Sequence, residues 1–175
     1  AAELRSWASR MSQIFLRDFK PEDATAVNEI ALAAFDQFRD SYDDWPGFGA
    51  RIGQMSALSE NGEIVVAVAD RELVVGAVAY VGPNQPKASF FRPEWPIMRM
   101  LVVSPSARGR GVGRLLTEEC LSRARRDGAT QFALHTSSVM EVALPMYLRM
   151  GFKFHSSAPP IHGVEYGVYL REIDA

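Results

Sequence analysis

Apolar residues recur along this chain with two periods, and the switches between them lay out the elements. Ile14-Phe15-Leu16-Arg17 reads as a first strand. Lys20-Pro21-Glu22-Asp23 then opens a helix, with proline and acids in its first turn. Along it Ala24, Val27, Ile30, Ala31 and Ala34 fall on one face at steps of three and four. Gly47 to Ser59 predicts a second short helix, interrupted by Gly49 and Gly53. Glu63 to Ala69 and Leu73 to Val81 are β-branched runs separated by Asp70-Arg71-Glu72, which predicts a hairpin. A proline-punctuated loop from Gly82 to Pro96 leads to a strand over Ile97 to Val103. Val112, Leu115, Leu116, Cys120 and Ala124 return to helical spacing, and that helix stops before Gly128. Gln131 to His135 is a strand, Val142 to Met150 a helix, Phe152 to His155 a strand and Val164 to Leu170 a last strand.

A strand–helix–strand unit in the middle, with antiparallel hairpins before and after it, implies a mixed α/β sheet with helices on both faces. The 175 residues suit one domain with a substantial core, and the pattern from Gln13 onward reads as a domain beginning afresh. The domain is therefore expected over 11–175, with 1–10 an extension upstream of it. Apolar content of 47% and charged content of 23% are those of an ordinary globular chain. A net charge of −2 argues against a general nucleic-acid binder, which carries a basic excess. Cys120 is the single cysteine, so an intramolecular disulfide is excluded. It lies on the apolar stripe of its helix, the place of a buried structural thiol. No apolar stretch approaches the roughly 20 residues of a membrane span, and no signal-peptide core opens the chain, so a cytoplasmic protein is expected.

The chemistry concentrates where the strand ending at Val103 turns into a helix through Ser104-Pro105-Ser106-Ala107-Arg108-Gly109-Arg110-Gly111-Val112-Gly113-Arg114. Successive N–H groups at a helix N-terminus receive phosphate oxygens, and glycines let a ligand approach the backbone. Arg108, Arg110 and Arg114 add positive charge there. A Walker A loop would need Gly-Lys-Ser/Thr where Val112-Gly113-Arg114 stands, and the dinucleotide fingerprint would need a glycine where Arg114 stands. The plainer reading of the same residues is an arginine-rich helix start that binds nothing.

The order Arg108, two residues, Gly111, one residue, Gly113 resembles the pyrophosphate motif of the GNAT superfamily of acyl-CoA-dependent N-acetyltransferases. Ala143-Leu-Pro-Met-Tyr147-Leu-Arg-Met-Gly151-Phe152 is similar to a second motif of that family, and the order of elements over about 13 to 172 is similar to its whole fold. The resemblance implies a GNAT-like, mostly antiparallel sheet of seven strands, with two splayed parallel strands forming the acyl-CoA site. It places the pantetheine arm of acetyl-CoA along the backbone of Leu101, Val102 and Val103. It places the pyrophosphate on N–H groups of Arg108, Gly109, Arg110, Gly111, Val112, Gly113 and Arg114. The acetyl group would pass to a primary amine by direct attack in a ternary complex, with Tyr147 as the general acid for the departing thiolate. Tyr147 read without the resemblance is a core tyrosine. The family also commonly forms homodimers.

Two positions depart from the family pattern. Ile97 stands where many members carry a glutamate, and Met140 where an asparagine is common. A neutral amine is still required, since an alkyl ammonium near its reference pKa of roughly 10.4 is mostly protonated at pH 7. Glu94 and His135 are candidates to relay that proton, with Glu165 and His162 behind them. The acceptor site is expected among the variable segments. Asp40-Ser41-Tyr42-Asp43-Asp44-Trp45 suits a cationic amine or is a solvated acidic turn. Phe90-Phe91-Arg92-Pro93-Glu94-Trp95 lines a pocket or covers a dimer interface, and Arg92 could hold a substrate carboxylate. Arg123, Arg125 and Arg126 read as a solvated helix face. The competing class is an acyl-CoA-binding sensor of the same fold that has lost turnover, which the loss of an acid at Ile97 favours.

Overall fold

The computed structural model describes residues 13–174, so the extension over 1–10 lies outside the described residues. The elements run β1 (Phe15–Asp18), α1 (Ala24–Asp36), α2 (Trp45–Ile52), β2 (Glu63–Ala69), β3 (Leu73–Val81), β4 (Ile97–Val103), α3 (Val112–Arg126), β5 (Gln131–Thr136), α4 (Ala143–Arg149), β6 (Lys153–Ile161) and β7 (Val164–Glu172), with short 3₁₀ turns between some of them. The strands form one sheet in the order β1-β2-β3-β4-β5-β7-β6. Every neighbouring pair is antiparallel except β4 and β5, which are parallel.

Alternation along the central strands divides the core into two layers. Val65, Ala67, Val75 and Val78 face α3 and α4, where they meet Leu116, Cys120 and Tyr147. Ile64, Val66 and Val68 face the other way, against Val27 and Ala31 of α1 and Phe48 and Ile52 of α2. The close seating of α3 depends on Gly76 of β3. A Cβ there would lie 2.9 Å from the Val112 side chain and 3.1 Å from the Val102 carbonyl oxygen. The C-terminal end of α3 is anchored too. Arg123, only 12% exposed, donates to Asp18 of β1 at 2.6 Å and Glu63 of β2 at 2.9 Å. Arg126 pairs with Glu63 and Asp127. This part of the predicted solvated face is therefore a clamp between helix and sheet, because the twist of the sheet brings β1 and β2 acids under the helix end.

Two elements differ in extent from their sequence expectation. The segment after Gly47 is a helix over Trp45–Ile52 and then a 3₁₀ stretch over Met55–Glu60, broken at Gly53 and Gln54. Strand β6 continues past His155 through Pro159 and Pro160 to Ile161. It pairs with β7 alone at the sheet edge, where a proline that cannot donate is tolerated.

Candidate active site

Strands β4 and β5 touch in register at one point only, Ile97 opposite Ala133. Beyond it they diverge, so the β5-facing backbone of Leu101, Val102 and Val103 has no strand partner on that side. A bulge sharpens the divergence. Val102 opposes Ala77 and Arg99 opposes Ala79, which leaves two β4 residues opposite Val78 alone. Met100 takes up the extra residue at φ +58, a left-handed conformation that costs a non-glycine residue of order 1 kcal/mol or more.

The glycine turn lies at one end of this opening. Gly109 and Gly111 have φ of +76 and +77, and a Cβ at either would meet nothing within 4 Å. Gly111 is the N-cap of α3 and supplies no capping side chain. The first intrahelical bond is Leu115 N–H to Gly111 C=O, so the N–H groups of Val112, Gly113 and Arg114 have no acceptor within the helix. Arg108, Arg110 and Arg114 are all exposed around them, with Arg114 paired to Glu118 at 2.9 Å. Chemically this is a donor-lined concavity open to an anion. Gly113 faces the opening itself, where an added Cβ would sit 3.7 Å from Leu101 and from the Met146 sulfur.

Tyr147, on α4, lines a cavity together with Leu101 of β4. It is 5% exposed, its ring lies 5.8 Å from that of Phe152, and burial pushes its phenol well above the usual range. The group is a neutral hydroxyl at physiological pH, and none of the described side chains hydrogen-bonds it. It borders a cavity of about 210 Å³ that also receives Leu101 and Ala143. A larger, shallower groove of about 570 Å³ lies instead beside Glu63, Tyr80 and Asp127, at the β3 end away from the divergence. Cys120 is fully buried, and burial pushes its thiol far up, so no thiolate nucleophile is present near Tyr147.

Of the proton-relay candidates, His135 alone borders the cavity. Its ring sits among those of Phe90, Phe91 and Tyr166 at 5.3, 5.7 and 5.3 Å. Its buried Nδ1 has no partner among the described residues. Burial first, and the positive field of Arg99 second, lower its pKa to about 4, so the ring is neutral at pH 7. This has a stability consequence. The unfolded chain binds that proton near pH 6.5 and the folded chain refuses it until about pH 4. Stability is therefore lost as pH falls through that window, by on the order of 3 kcal/mol for this group. Urea unfolding from pH 7 to pH 4 should show a shallower loss in His135→Gln than in the parent; equal slopes would contradict the assignment.

The other candidates lie elsewhere. Glu94 is an exposed loop residue whose field acts on Lys87. Glu165 is exposed, and His162, in the β6–β7 turn, packs on Phe48 with the rings tilted and 5.0 Å apart. Ile97 is buried among Phe91, Trp95 and Ala133, so the position carries packing and no proton chemistry. Met140 does line the cavity, as an apolar wall. The acidic turn is used up locally. Asp44, at φ +51, accepts from Gly47 N–H at 3.3 Å to cap α2. The Asp43 N–H donates to His162 C=O at 2.8 Å, and Tyr42 is buried in a hydrogen bond with Tyr166. None of Asp40, Asp43 and Asp44 reaches the cavity. Arg92 lies over the Trp95 ring at 5.4 Å, also outside it.

The residues not singled out by sequence are Arg99 and Arg51, both of which line the cavity. Arg99 carried a signal, being the one charge inside the apolar strand Ile97–Val103. It is accessible through the cleft, yet the surrounding protein first, and Arg51 second, hold its pKa below the usual guanidinium value.

A mixed sheet opened at a parallel pair, with a glycine-capped helix after it, is the architecture of the GNAT class of folds. The sequence profile of the Acetyltransferase (GNAT) family matches residues 14–152, and the chain belongs to that family. It is 35% identical over 98 residues to N-acetyltransferase 8F1 of Rattus norvegicus, covering 56% of this chain and 42% of that protein. It is 31% identical over 114 residues to the streptothricin acetyltransferase of Streptomyces lavendulae, covering 63% of this chain and 56% of that one. These matches thus span about half the length of those relatives. Among solved structures, a Pyrococcus horikoshii OT3 protein superposes with a TM-score of 0.74 at 14% identity, over 93% of this chain and 100% of that one. A GCN5-related N-acetyltransferase from Rhodopseudomonas palustris gives 0.72 at 20% identity, over 93% and 98%. Among the described residues no helix is long and apolar enough to cross a membrane.

Proposed function

We propose that this chain transfers an acetyl group from acetyl-CoA to a primary amine by direct attack within a ternary complex. The observation that supports the reading is the divergence of β4 and β5, with the uncapped N-terminus of α3 following β4 and Tyr147 lining a cavity together with Leu101. The N–H groups of Val112, Gly113 and Arg114, with the turn from Arg108, would hold the pyrophosphate. The unpaired edge of Leu101, Val102 and Val103 would hold the pantetheine amides as an added strand does. Acetyl-CoA supplies the activated thioester. Tyr147, kept protonated by burial, would donate to the departing sulfur.

Among the described residues no carboxylate lines the cavity, so none of them is an acidic side chain that could take the amine's proton there. The cavity's own field does part of that work. Two guanidinium groups disfavour a third positive charge, which lowers the pKa of an amine bound beside them and favours its entry as the free base. His135 borders the cavity with an unpartnered Nδ1, but with its pKa lowered to about 4 it would be a transient relay toward water and not a resting base for the amine's proton.

The absence of a thiolate makes a covalent acetyl-enzyme chemically unfavourable. Initial rates measured while acetyl-CoA and amine are varied together should give intersecting double-reciprocal lines. Intact mass after incubation with acetyl-CoA alone should show no acetyl-Cys120. Parallel lines with an acetylated Cys120 would contradict direct attack. A non-catalytic acyl-CoA sensor is the second reading, favoured by Ile97 and by the acid-free cavity, and it predicts CoA binding with no amine-dependent release of thiol.

A further inference from the structure

The cavity beside Tyr147 has an uncompensated charge. Arg51, near the C-terminal end of α2, and Arg99, in the middle of β4, come from different elements and line the same space. Among the described residues no Asp or Glu lines it with them, and no carboxylate pairs with either. Arg17, Arg39, Arg114, Arg123 and Arg126 each have an acidic partner within 4.0 Å; what sets Arg51 and Arg99 apart from the exposed arginines without one is that they line a common cavity. The two uncompensated guanidiniums are close enough that one weakens the protonation of the other. Both side chains are solvent-accessible, and two like charges lining one cavity favour an anion beside them over a further cation. Acetyl-CoA has its own phosphate seat at the α3 N-terminus, with Arg108, Arg110 and Arg114 around it. The remaining walls mix apolar side chains, chiefly Phe48, Met100, Met140 and Ile161, with the neutral polar groups of Gln54, His135, Thr136 and Tyr166. At about 210 Å³ the space is below the roughly 300–1,000 Å³ of sites for drug-sized ligands, so it suits a small molecule.

We infer that the acceptor is an α-amino acid with an apolar or aromatic side chain, its carboxylate held by Arg99 and Arg51 and its amine directed toward Tyr147. This rests on the acetyl-transfer reading and narrows its acceptor. A carboxylate accepts the paired N–H groups of a guanidinium in plane, and that geometry orients the molecule as well as holding it. The same field that holds the carboxylate repels polyamines and other multiply cationic acceptors. It also distinguishes a free amino acid from a peptide N-terminus, whose first carbonyl is neutral.

The test separates recognition from chemistry. Binding of N-acetyl-L-phenylalanine and of its uncharged amide to the protein saturated with CoA is measured by calorimetry, alongside acetylation of L-phenylalanine, L-phenylalaninamide and phenethylamine. N-acetyl-L-phenylalanine should bind at least about tenfold more tightly than the amide, the scale of one charge-assisted hydrogen-bond pair. Arg99→Gln and Arg51→Gln should each shrink that ratio toward one, with Arg99→Lys restoring part of it. L-phenylalanine should likewise exceed the amide and the amine in kcat/KM. Equal binding of acid and amide, no measurable binding of either, or a ratio unmoved in both Gln variants would overturn the inference, whatever amine is acetylated. Preferential binding of the acid with no acetylation of any amine would instead overturn the transferase reading while the carboxylate site stands.

Discussion

Tyr147→Phe is expected to lower kcat by roughly 10²–10⁴-fold, the range general acid catalysis supplies, while the affinity for acetyl-CoA changes little. The substitution keeps the ring that packs on Phe152 and removes only the hydroxyl. None of the described side chains is left unpaired by its loss, so the fold should tolerate it. The departing thiolate then has to be protonated from water. Because the cavity at Tyr147 is small and largely apolar, water is a poor substitute there. The rate must be followed where chemistry limits turnover, by single-turnover mixing of a preformed acetyl-CoA complex with amine. An unchanged single-turnover rate would return Tyr147 to a packing role.

A comparably large loss, in binding, is expected at the glycine turn. Gly111→Asp should weaken CoA binding by on the order of 10²-fold, or about 2.7 kcal/mol. The position has φ +77, so a side chain costs about 1 kcal/mol of strain, and aspartate is among the residues that tolerate this region. The new Cβ meets nothing within 4 Å, and the carboxylate would sit at the α3 N-terminus, where it stabilises the empty protein. The same carboxylate would occupy the seat proposed for the pyrophosphate and repel it. Melting of the ligand-free protein should thus move far less than CoA affinity, and Gly111→Ala should fall between the two. Undiminished CoA affinity in folded Gly111→Asp would remove the phosphate seat from this turn.

The elements that sequence reveals here are those whose periodicity is long and uninterrupted. Strands β2, β3 and β4 and helix α3 follow directly from their apolar patterns, and Gly128 ends α3 as its position predicts, at φ +75. The bulge at Met100 leaves no trace, because no glycine or proline marks it and its cause is the competition of two neighbouring strands. The edge position of β6, which lets Pro159 and Pro160 stay in the strand, is likewise a property of the whole sheet. In the site, the glycine turn and Tyr147 are legible because glycines and a motif fix them locally. The acidic segment misleads because charge is visible in a sequence while direction is not. The exposed Asp44 caps a helix, and the Asp43 backbone donates to the β6–β7 turn. Conversely Arg99 sits among apolar residues for a reason that appears only when α2 folds Arg51 over the same cavity.

Acetyl transfer to an amine at the opening between β4 and β5 is the proposed reaction. It is tested most directly by following free thiol released from acetyl-CoA by the full chain across a panel of primary amines, with omission of amine as the reference. The account predicts thiol release that saturates with amine, is matched one for one by N-acetylated product, and falls together in Tyr147→Phe and Gly111→Asp. Release no faster than the amine-free reference across the panel, with CoA nevertheless bound, would contradict it.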